Sequence, residues 1–555
     1  MENKNSITGN GLDSGAASSV PDELNIGMCF SGGGYRAAMF GLGALSFLNS
    51  VKLDEEHTLL DKVTALTSVS GGTIPALRYM LAKAKGEKMD DVIAKLYAFL
   101  RDEDLMTLAL RELNDEKTNR DASVIKIMAD IYDEKLFGGA VMGDIIKNFG
   151  NVTVKDYTAL ATDFDNSLPF RFRLTEERRT LSSNGVRTSY GVFGNNQHNI
   201  KRSIVNDITL GEALACSSCF PCGFEPMMYP VDFKVSGQDG FPDGDMKPFG
   251  IMDGGIVDNQ GIDPLLLAEE RMRKYRGGTR TDKALDLIII NDVAGSKEMK
   301  GFASWTNKLC DGLGKLTIGR LRNYGLVILV VMMVFFIAML LVGNGFWLGV
   351  AATLLLLAVV GNCAGAWVKN KLFGWIRGTF VGNRADFLSH MKFAVFESLA
   401  MNRANSVIDM TSEVFLRRMR QVNYNNLYED PEWHNRLMSN MVKALRPDER
   451  WSRRTSRMIN GVDLIPSTVI QENSKLAAKM GTTLWFTKEM KDQKMPEALM
   501  SAGQYTMCYN LICYIDKIQN DNTNLSTAHA RLVAVLPQLL DAWQEFQKNP
   551  HYMLP

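Results

Sequence analysis

The chain has no charge imbalance: Lys plus Arg total 62, and Asp plus Glu total 62, over 555 residues. No basic field covers the molecule, so nucleic acid is not its evident partner. Histidine is scarce. The six are His57, His198, His390, His434, His529 and His551. None ends an apolar, strand-like run beside glycines, where a base for nucleophilic chemistry would sit. The stretch from Met1 to about Pro21 lacks the basic-then-apolar build of a secretory leader, and Glu2 excludes a myristoylation start. The eight cysteines lie mostly among apolar or small residues, which suggests reduced thiols in a cytoplasm-facing protein. Cys216-x-x-Cys219-x-x-Cys222 has the spacing of a metal site but no fourth ligand nearby, so neither metal nor cofactor is expected.

The chain is organised around Thr64-Ala65-Leu66-Thr67-Ser68-Val69-Ser70-Gly71-Gly72-Thr73. Val63 to Val69 has the β-branched content of a buried strand. Pro75 fits the first turn of a following helix, where its missing N–H costs nothing. A serine at such a strand–turn–helix corner projects from a sharp bend, and the next N–H points at the same place. The motif is Ser68-x-Ser70-x-Gly72, with serine where the usual elbow has its first glycine.

Two further stretches bear on it. Upstream, Ile26 to Phe30 runs into Ser31-Gly32-Gly33-Gly34-Tyr35-Arg36 and an Ala-rich helix reaching about Leu48. Glycines let backbone N–H groups converge on an anion, and the helix adds its positive end. The Lys-Ser/Thr ending of a phosphate loop and the spaced glycines of a dinucleotide site are both missing, so an oxyanion hole fits better. Downstream, Asp253-Gly254-Gly255 ends an apolar run, placing a carboxylate at a tight, exposed loop after a strand. By itself such an aspartate is more often a turn cap. Beside a serine lacking a histidine, it reads as the base of a Ser–Asp dyad.

The order Gly-Gly-Gly-x-Arg, Ser-x-Ser-x-Gly, Asp-Gly-Gly resembles the patatin-like phospholipase family. The stretch from Ser31 to Ala38 is also similar to the glycine loop of cytosolic phospholipases of the A type, which share that fold and dyad. Ala161-Thr162-Asp163-Phe164-Asp165 looks like the family's mid-domain strand and turn, and the stretch from Ala213 to Pro221 like its small-residue helix. The resemblance covers roughly residues 24–300; Ser68 in place of glycine is the departure. It implies a three-layer α/β sandwich with a mainly parallel central sheet. It also implies Ser70 as nucleophile and Asp253 as base, with Gly32, Gly33, Gly34 and Gly71 around the oxyanion. Arg36 would orient the loop or meet a lipid phosphate, and Gly72, Gly254 and Gly255 would support the turns. The implied activity is phospholipase A or lysophospholipase action on glycerophospholipids, with no metal.

The expected organisation is a polar, disordered tail at 1–23, an acyl hydrolase core at 24–300 and a linker at 301–324. A hairpin at 325–368 (helices 325–342 and 346–367) and a mainly helical region at 369–555 follow. The C-terminal region either completes the hydrolase or forms a separate domain. In the core, strands are expected at 26–30, 63–69, 157–161, 171–174, 249–252 and 285–291, alternating with helices. Helical segments at 90–146 are expected as a cap or a peripheral layer, and 176–199 as a long loop. No charged residue occurs from Gly325 to Val368, too long a run for one crossing, so two helices turn at Gly343-Asn344-Gly345. Arg320 and Arg322 precede the pair, and Lys369, Lys371 and Arg377 follow it, which places both termini in the cytoplasm. Trp347 and Trp367 suit an interfacial belt; a bent hairpin entering one leaflet is the alternative. One long amphipathic helix is expected at 386–423, carrying the basic cluster Arg417, Arg418 and Arg420, and further helices at 500–518 and 528–546. The partners that follow are a phospholipid bilayer and a lipid substrate, with the hairpin and C-terminal helices as candidate surfaces for a homo-oligomer. Two other readings are a membrane-damaging phospholipase held off until activated, and a lipid-binding scaffold with an inactive hydrolase domain.

Overall fold

The structure is a computed structural model describing residues 24–113, 123–176, 189–221, 223–234, 247–275, 283–294, 315–377, 390–447, 457–520 and 527–555. It divides into two units, Met1–Lys297 with Phe415–Pro555, and Glu298–Val414. The expected tail at 1–23, most of the linker at 301–324, and Cys222 lie outside the described residues.

The first unit is built on a nine-stranded sheet. Its strands are β1 (Ile26–Phe30), β2 (Val63–Val69), β3 (Asp156–Asp163), β4 (Leu168–Glu176), β5 (Ser189–Gly194), β6 (Met227–Tyr229), β7 (Phe249–Asp253), β8 (Leu287–Asp292) and β9 (Leu437–Met441). The order is β5-β4-β3-β2-β1-β8-β9, with β7 on β3 and β6 on β7. The centre, β3-β2-β1-β8-β9, is parallel throughout. The four added pairings, β3–β4, β4–β5, β3–β7 and β6–β7, are antiparallel.

Parallel strands buried on both faces read as unbroken apolar runs, and their alternate side chains enter two different cores. Met28, Phe30, Leu66, Leu287 and Ile289 point into the larger core, with the helices Gly34–Ser50 and Met495–Asn520. Cys29, Ala65, Ile288 and Ile290 point into the other, with Leu265, Ala268 and Met272 of the helix Ile262–Tyr275. The result is the expected three-layer α/β architecture. The two helices of the larger core cross closely at Gly43 and Gly503. A Cβ on Gly43 would stand 2.1 Å from the Met500 carbonyl, and one on Gly503 2.2 Å from the Phe40 carbonyl.

The structure corrects several sequence expectations. The loop expected at 176–199 contains β5, an edge strand whose Gly191 and Gly194 hid its pattern. The last core strand begins at Leu287, two residues late. The mixed stretch after residue 424 supplies β9, which extends the parallel sheet beyond β8. Among the segments expected at 90–146, the helix Val124–Tyr132 buries Ile125, Met128 and Tyr132 in the larger core, as a layer of the fold. The expected 528–546 helix is two, Thr527–Ala534 and Leu536–Lys548, broken before Pro537.

In the second unit, helices Ile318–Val342 and Gly345–Arg377 are joined at Gly343, whose φ of 71° is the left-handed cap glycine enters at little cost. Each has a segment long and apolar enough to cross a membrane, and Leu326, Val330, Val334 and Leu341 are exposed. Asn362 Nδ2 donates to the Gly325 carbonyl at 3.0 Å, tying the two helices together. The helical region expected at 386–423 begins at Phe393 and ends at Glu429, with a wider π stretch at Met410–Phe415; residues 386–389 lie outside the described residues.

Candidate active site

Strand register brings Ser70 and Asp253 together. β2 pairs along one edge of β3 until Val69 meets Leu160. From the next residue, Ala161, that ladder is taken over by β7, which runs the opposite way and pairs Asp253 with Ala161. The other edge of β3 is filled by β4 along its whole length. So β2 and β7 meet end to end along β3. Ser70 is the first residue beyond one strand and Asp253 the last of the other.

Ser70 opens a 3₁₀ turn, Ser70–Gly72, that leads into the helix Thr73–Lys85. Its φ of 52° is left-handed, uncommon for a serine. The turn is held by Ser217, from the helix Leu210–Ser218. Ser70 N–H donates to Ser217 Oγ at 3.0 Å, and the Ser217 hydroxyl donates to the Leu160 carbonyl at 2.7 Å. With that proton committed, the Thr73 hydroxyl donates to Ser217 Oγ, also at 3.0 Å. Gly254 N–H donates to the Ser217 carbonyl at 3.3 Å, so one residue braces both turns. The small-residue block in the sequence contained Ser217, but nothing there singled it out.

Ser68, the departure from the family pattern, lies within β2, paired with Phe30 and Ala159. Its hydroxyl bonds Tyr157 Oη at 3.0 Å in the interior. Extended backbone needs no glycine, so the elbow tolerates this serine.

The Asp253 carboxyl is not at an exposed loop, as the glycines had suggested; the residue is 2% exposed. Oδ1 accepts the Gly255 N–H at 2.7 Å, and the Ser70 hydroxyl donates to the same carboxylate. Burial pushes this carboxyl up to about 6, partly offset by those two hydrogen bonds, because a charge is costly away from water. Asp258, also pushed up to about 6 by burial, is spent on its own loop. It accepts N–H groups of Gln260, Gly261 and Asp263 and the Asn423 side chain.

The glycine loop packs against the elbow. A Cβ on Gly71 would lie 2.1 Å from the Gly34 carbonyl, and one on Gly32 would lie 3.2 Å from Ser70 Cβ. Gly33 and Gly34 have φ of 148° and 59°, and among the described residues their N–H groups have no acceptor. Gly32 is a correction: its N–H donates to the Asn259 carbonyl at 2.9 Å, which removes it from the expected oxyanion donors. Gly72 and Gly254 serve as close-approach positions, 2.6 Å from the Ser31 carbonyl and 2.3 Å from the Leu160 carbonyl for an added Cβ. Arg36 donates to the Met480 carbonyl at 2.8 Å. Beside it, Tyr35 N–H donates to the Thr483 carbonyl at 2.8 Å. This wall comes from the C-terminal half, and no motif announced it.

Cys216 and Cys219 are buried. Cys219 Sγ donates to the Cys216 and Ile251 carbonyls, and burial pushes both thiols up. His198 bonds the buried Asp163 at 2.8 Å and stacks on Phe249, on the turn end of β3.

A serine hydroxyl donating to a buried carboxylate, beside unengaged backbone N–H groups at strand ends, is the layout of an acyl hydrolase. Residues 28–266 match the model of the patatin-like phospholipase family. Among solved structures, human GIVD cytosolic phospholipase A2 is similar at 14% identity. The match covers 49% of this chain and 44% of that one, with a TM-score of 0.31. The same human enzyme in complex with methyl gamma-linolenyl fluorophosphonate gives 17% identity, 49% and 40% coverage, and a TM-score of 0.27. The chain thus spans less than half the length of either structure. A search of curated proteins finds no match.

Proposed function

We propose that this protein is a membrane-anchored serine acyl hydrolase of phospholipase A or lysophospholipase type, working through a Ser70–Asp253 dyad. The observation that carries the reading is the end-to-end meeting of β2 and β7 along β3, which leaves the Ser70 hydroxyl on the Asp253 carboxylate.

In the proposed mechanism Ser70 Oγ attacks the ester carbonyl and its proton passes to Asp253. The N–H groups of Gly33 and Gly34, with Gly71, hold the oxyanion, each donor contributing about 3 kcal/mol. Asp253 then protonates the departing alcohol oxygen, leaving the acyl group on Ser70. Water attacks that ester, Asp253 takes its proton, and a fatty acid leaves with Ser70 restored. The two apolar helices support a lipid substrate independently, since they would hold the catalytic unit at the bilayer. Their cationic flanks favour cytoplasmic ends.

Ser70 is 9% exposed and Asp253 2%, a closed arrangement that favours the second reading of a gated enzyme over a constitutively open one. Fatty-acid release from mixed phospholipid vesicles, with Ser70→Ala alongside, tests the chemistry. We expect a loss of at least about 10³-fold in the variant. Retained release in folded Ser70→Ala protein sinks the dyad. If neither protein releases fatty acid, an active-serine probe decides: labelling at Ser70 supports gating, and no labelling rejects the nucleophile.

A further inference from the structure

The turn after Asp253 runs straight into the short helix Gly255–Asp258, and Asn259 is its C-terminal cap, with φ of −74°. The loop that follows is braced. The Asp258 carboxylate accepts the N–H groups of Gln260, Gly261 and Asp263, which closes the loop on itself. The loop is also tied to the two strands that lead to the site. Thr67 Oγ1 of β2 donates to the Gly261 carbonyl at 2.6 Å, and Cys29 Sγ of β1 donates to the same oxygen at 3.4 Å. Asn259 is therefore carried on a fixed support, and it is buried.

From that support Asn259 meets both halves of the site. Its backbone carbonyl accepts the Gly32 N–H at 2.9 Å. Its side-chain Oδ1 stands where a side chain on either of two glycines would begin. A Cβ on Gly32 would lie 2.4 Å from that oxygen, and one on Gly255 would lie 2.7 Å from it. The same two positions border the reacting pair: the first is 3.2 Å from Ser70 Cβ and the second 3.0 Å from Asp253 Oδ1. Gly32 is not among the glycines with left-handed φ, so its backbone makes no demand for glycine. Space excludes a side chain there, and the Asn259 amide fills that space. A residue whose main chain holds the glycine loop, and whose side chain fills the gap to the Asp253 turn, sets the distance between them.

We propose that Asn259 is a positioning residue of the acyl hydrolase site: it locks the glycine loop to the Asp253 turn, so that the N–H groups of Gly33 and Gly34 keep one distance from the Ser70–Asp253 pair. That role rests on the hydrolase reading above; the lock itself is a matter of packing and does not. Without the Asn259 side chain the loop has room to drift, and a misplacement of about 1 Å costs up to about 10²-fold in rate. The loss falls on kcat, because those donors act on an oxyanion that exists only once Ser70 has attacked.

The test compares the full-length parent, Asn259→Ala, Gly32→Ala and the double variant in detergent, with dihexanoyl phosphatidylcholine as substrate. We expect Asn259→Ala to lower kcat at least about tenfold while KM stays within about twofold of the parent. Gly32→Ala alone should also lower kcat, since its methyl group meets Asn259 Oδ1. In the Asn259→Ala background that methyl group has room and should cost less than about threefold, a coupling that unrelated structural losses do not produce. Hydrogen exchange reads the lock without turnover: amides of the peptide 31–36 should exchange at least about fivefold faster in Asn259→Ala. If Asn259→Ala does not fold, Asn259→Ser carries the same expectations. Losses that simply multiply in the double variant, a change confined to KM, or unaltered exchange at 31–36 overturns the proposal. Faster exchange in the variant of a parent that releases no fatty acid sinks the hydrolase reading and leaves the lock. A hydrolysing parent with neither coupling nor faster exchange sinks the lock alone.

Discussion

Ser68 and Ser70 are two residues apart and carry opposite backbone demands. Ser70 holds φ at 52°, whereas Ser68 is extended and its hydroxyl meets Tyr157. Restoring the family residue should therefore do harm: Ser68→Gly should lose about 1–2 kcal/mol from the missing hydrogen bond and the freer unfolded chain. Denaturant unfolding checks this, and a variant as stable as the parent rejects it. Asp253 gives a second residue-scale expectation. As a base it must be ionised, so kcat/KM should fall about tenfold per pH unit below its pKa of about 6. A profile flat down to pH 4.5 would remove Asp253 from that role. Stability runs the other way. The folded pKa lies above the ordinary 3.8, so the folded state holds the proton more tightly than the unfolded chain. That advantage is complete below about pH 4 and is lost as pH rises through about 6. Asp253→Asn should then raise Tm at pH 8 but not at pH 4, while abolishing hydrolysis. Scanning calorimetry at the two values reads the difference.

At the scale of elements, strands were the most legible feature. Runs such as Val63–Val69 carry enough β-branched and apolar residues to fix both identity and bounds. Strand β5 and strand β9 were missed because edge strands are short and carry glycine or polar residues, leaving no period to read. Direction was also hidden. Nothing within Phe249–Asp253 says that it runs against β3, yet that reversal is what turns Asp253 toward Ser70. The two apolar helices carry their own prediction. Val334 lies on the exposed surface of the helix Ile318–Val342, and a charge at mid-span costs about 2.5–3.5 kcal/mol in membrane insertion. Val334→Arg should shift protein out of the carbonate-resistant membrane fraction. A parent protein that is itself extracted by carbonate would reject the spanning hairpin.

At the scale of the whole molecule, the first unit gathers Met1–Lys297 and Phe415–Pro555, on either side of the unit that carries the apolar helices. Replacing 298–414 by a flexible linker of about 20 residues should leave a folded protein, because its sheet and both cores are drawn from the first unit. Circular dichroism and size-exclusion check the fold. Fatty-acid release from micelles should persist while membrane association is lost. An aggregated product would mean that the two units depend on each other to fold.

The sequence alone singled out the candidate site residues, because each is marked locally: a glycine run, a serine at a strand end, an aspartate before glycines. It determined the apolar hairpin as well, since composition over some 40 residues is a local property. Tertiary structure decided the rest. Gly32 N–H was consumed by Asn259, Asp253 was buried, Ser217 was placed under both turns, and Thr483 was brought from the far end of the chain to the glycine loop. Each of these depends on a partner tens or hundreds of residues away, and strand register and layer packing select such partners with no mark in the adjacent sequence.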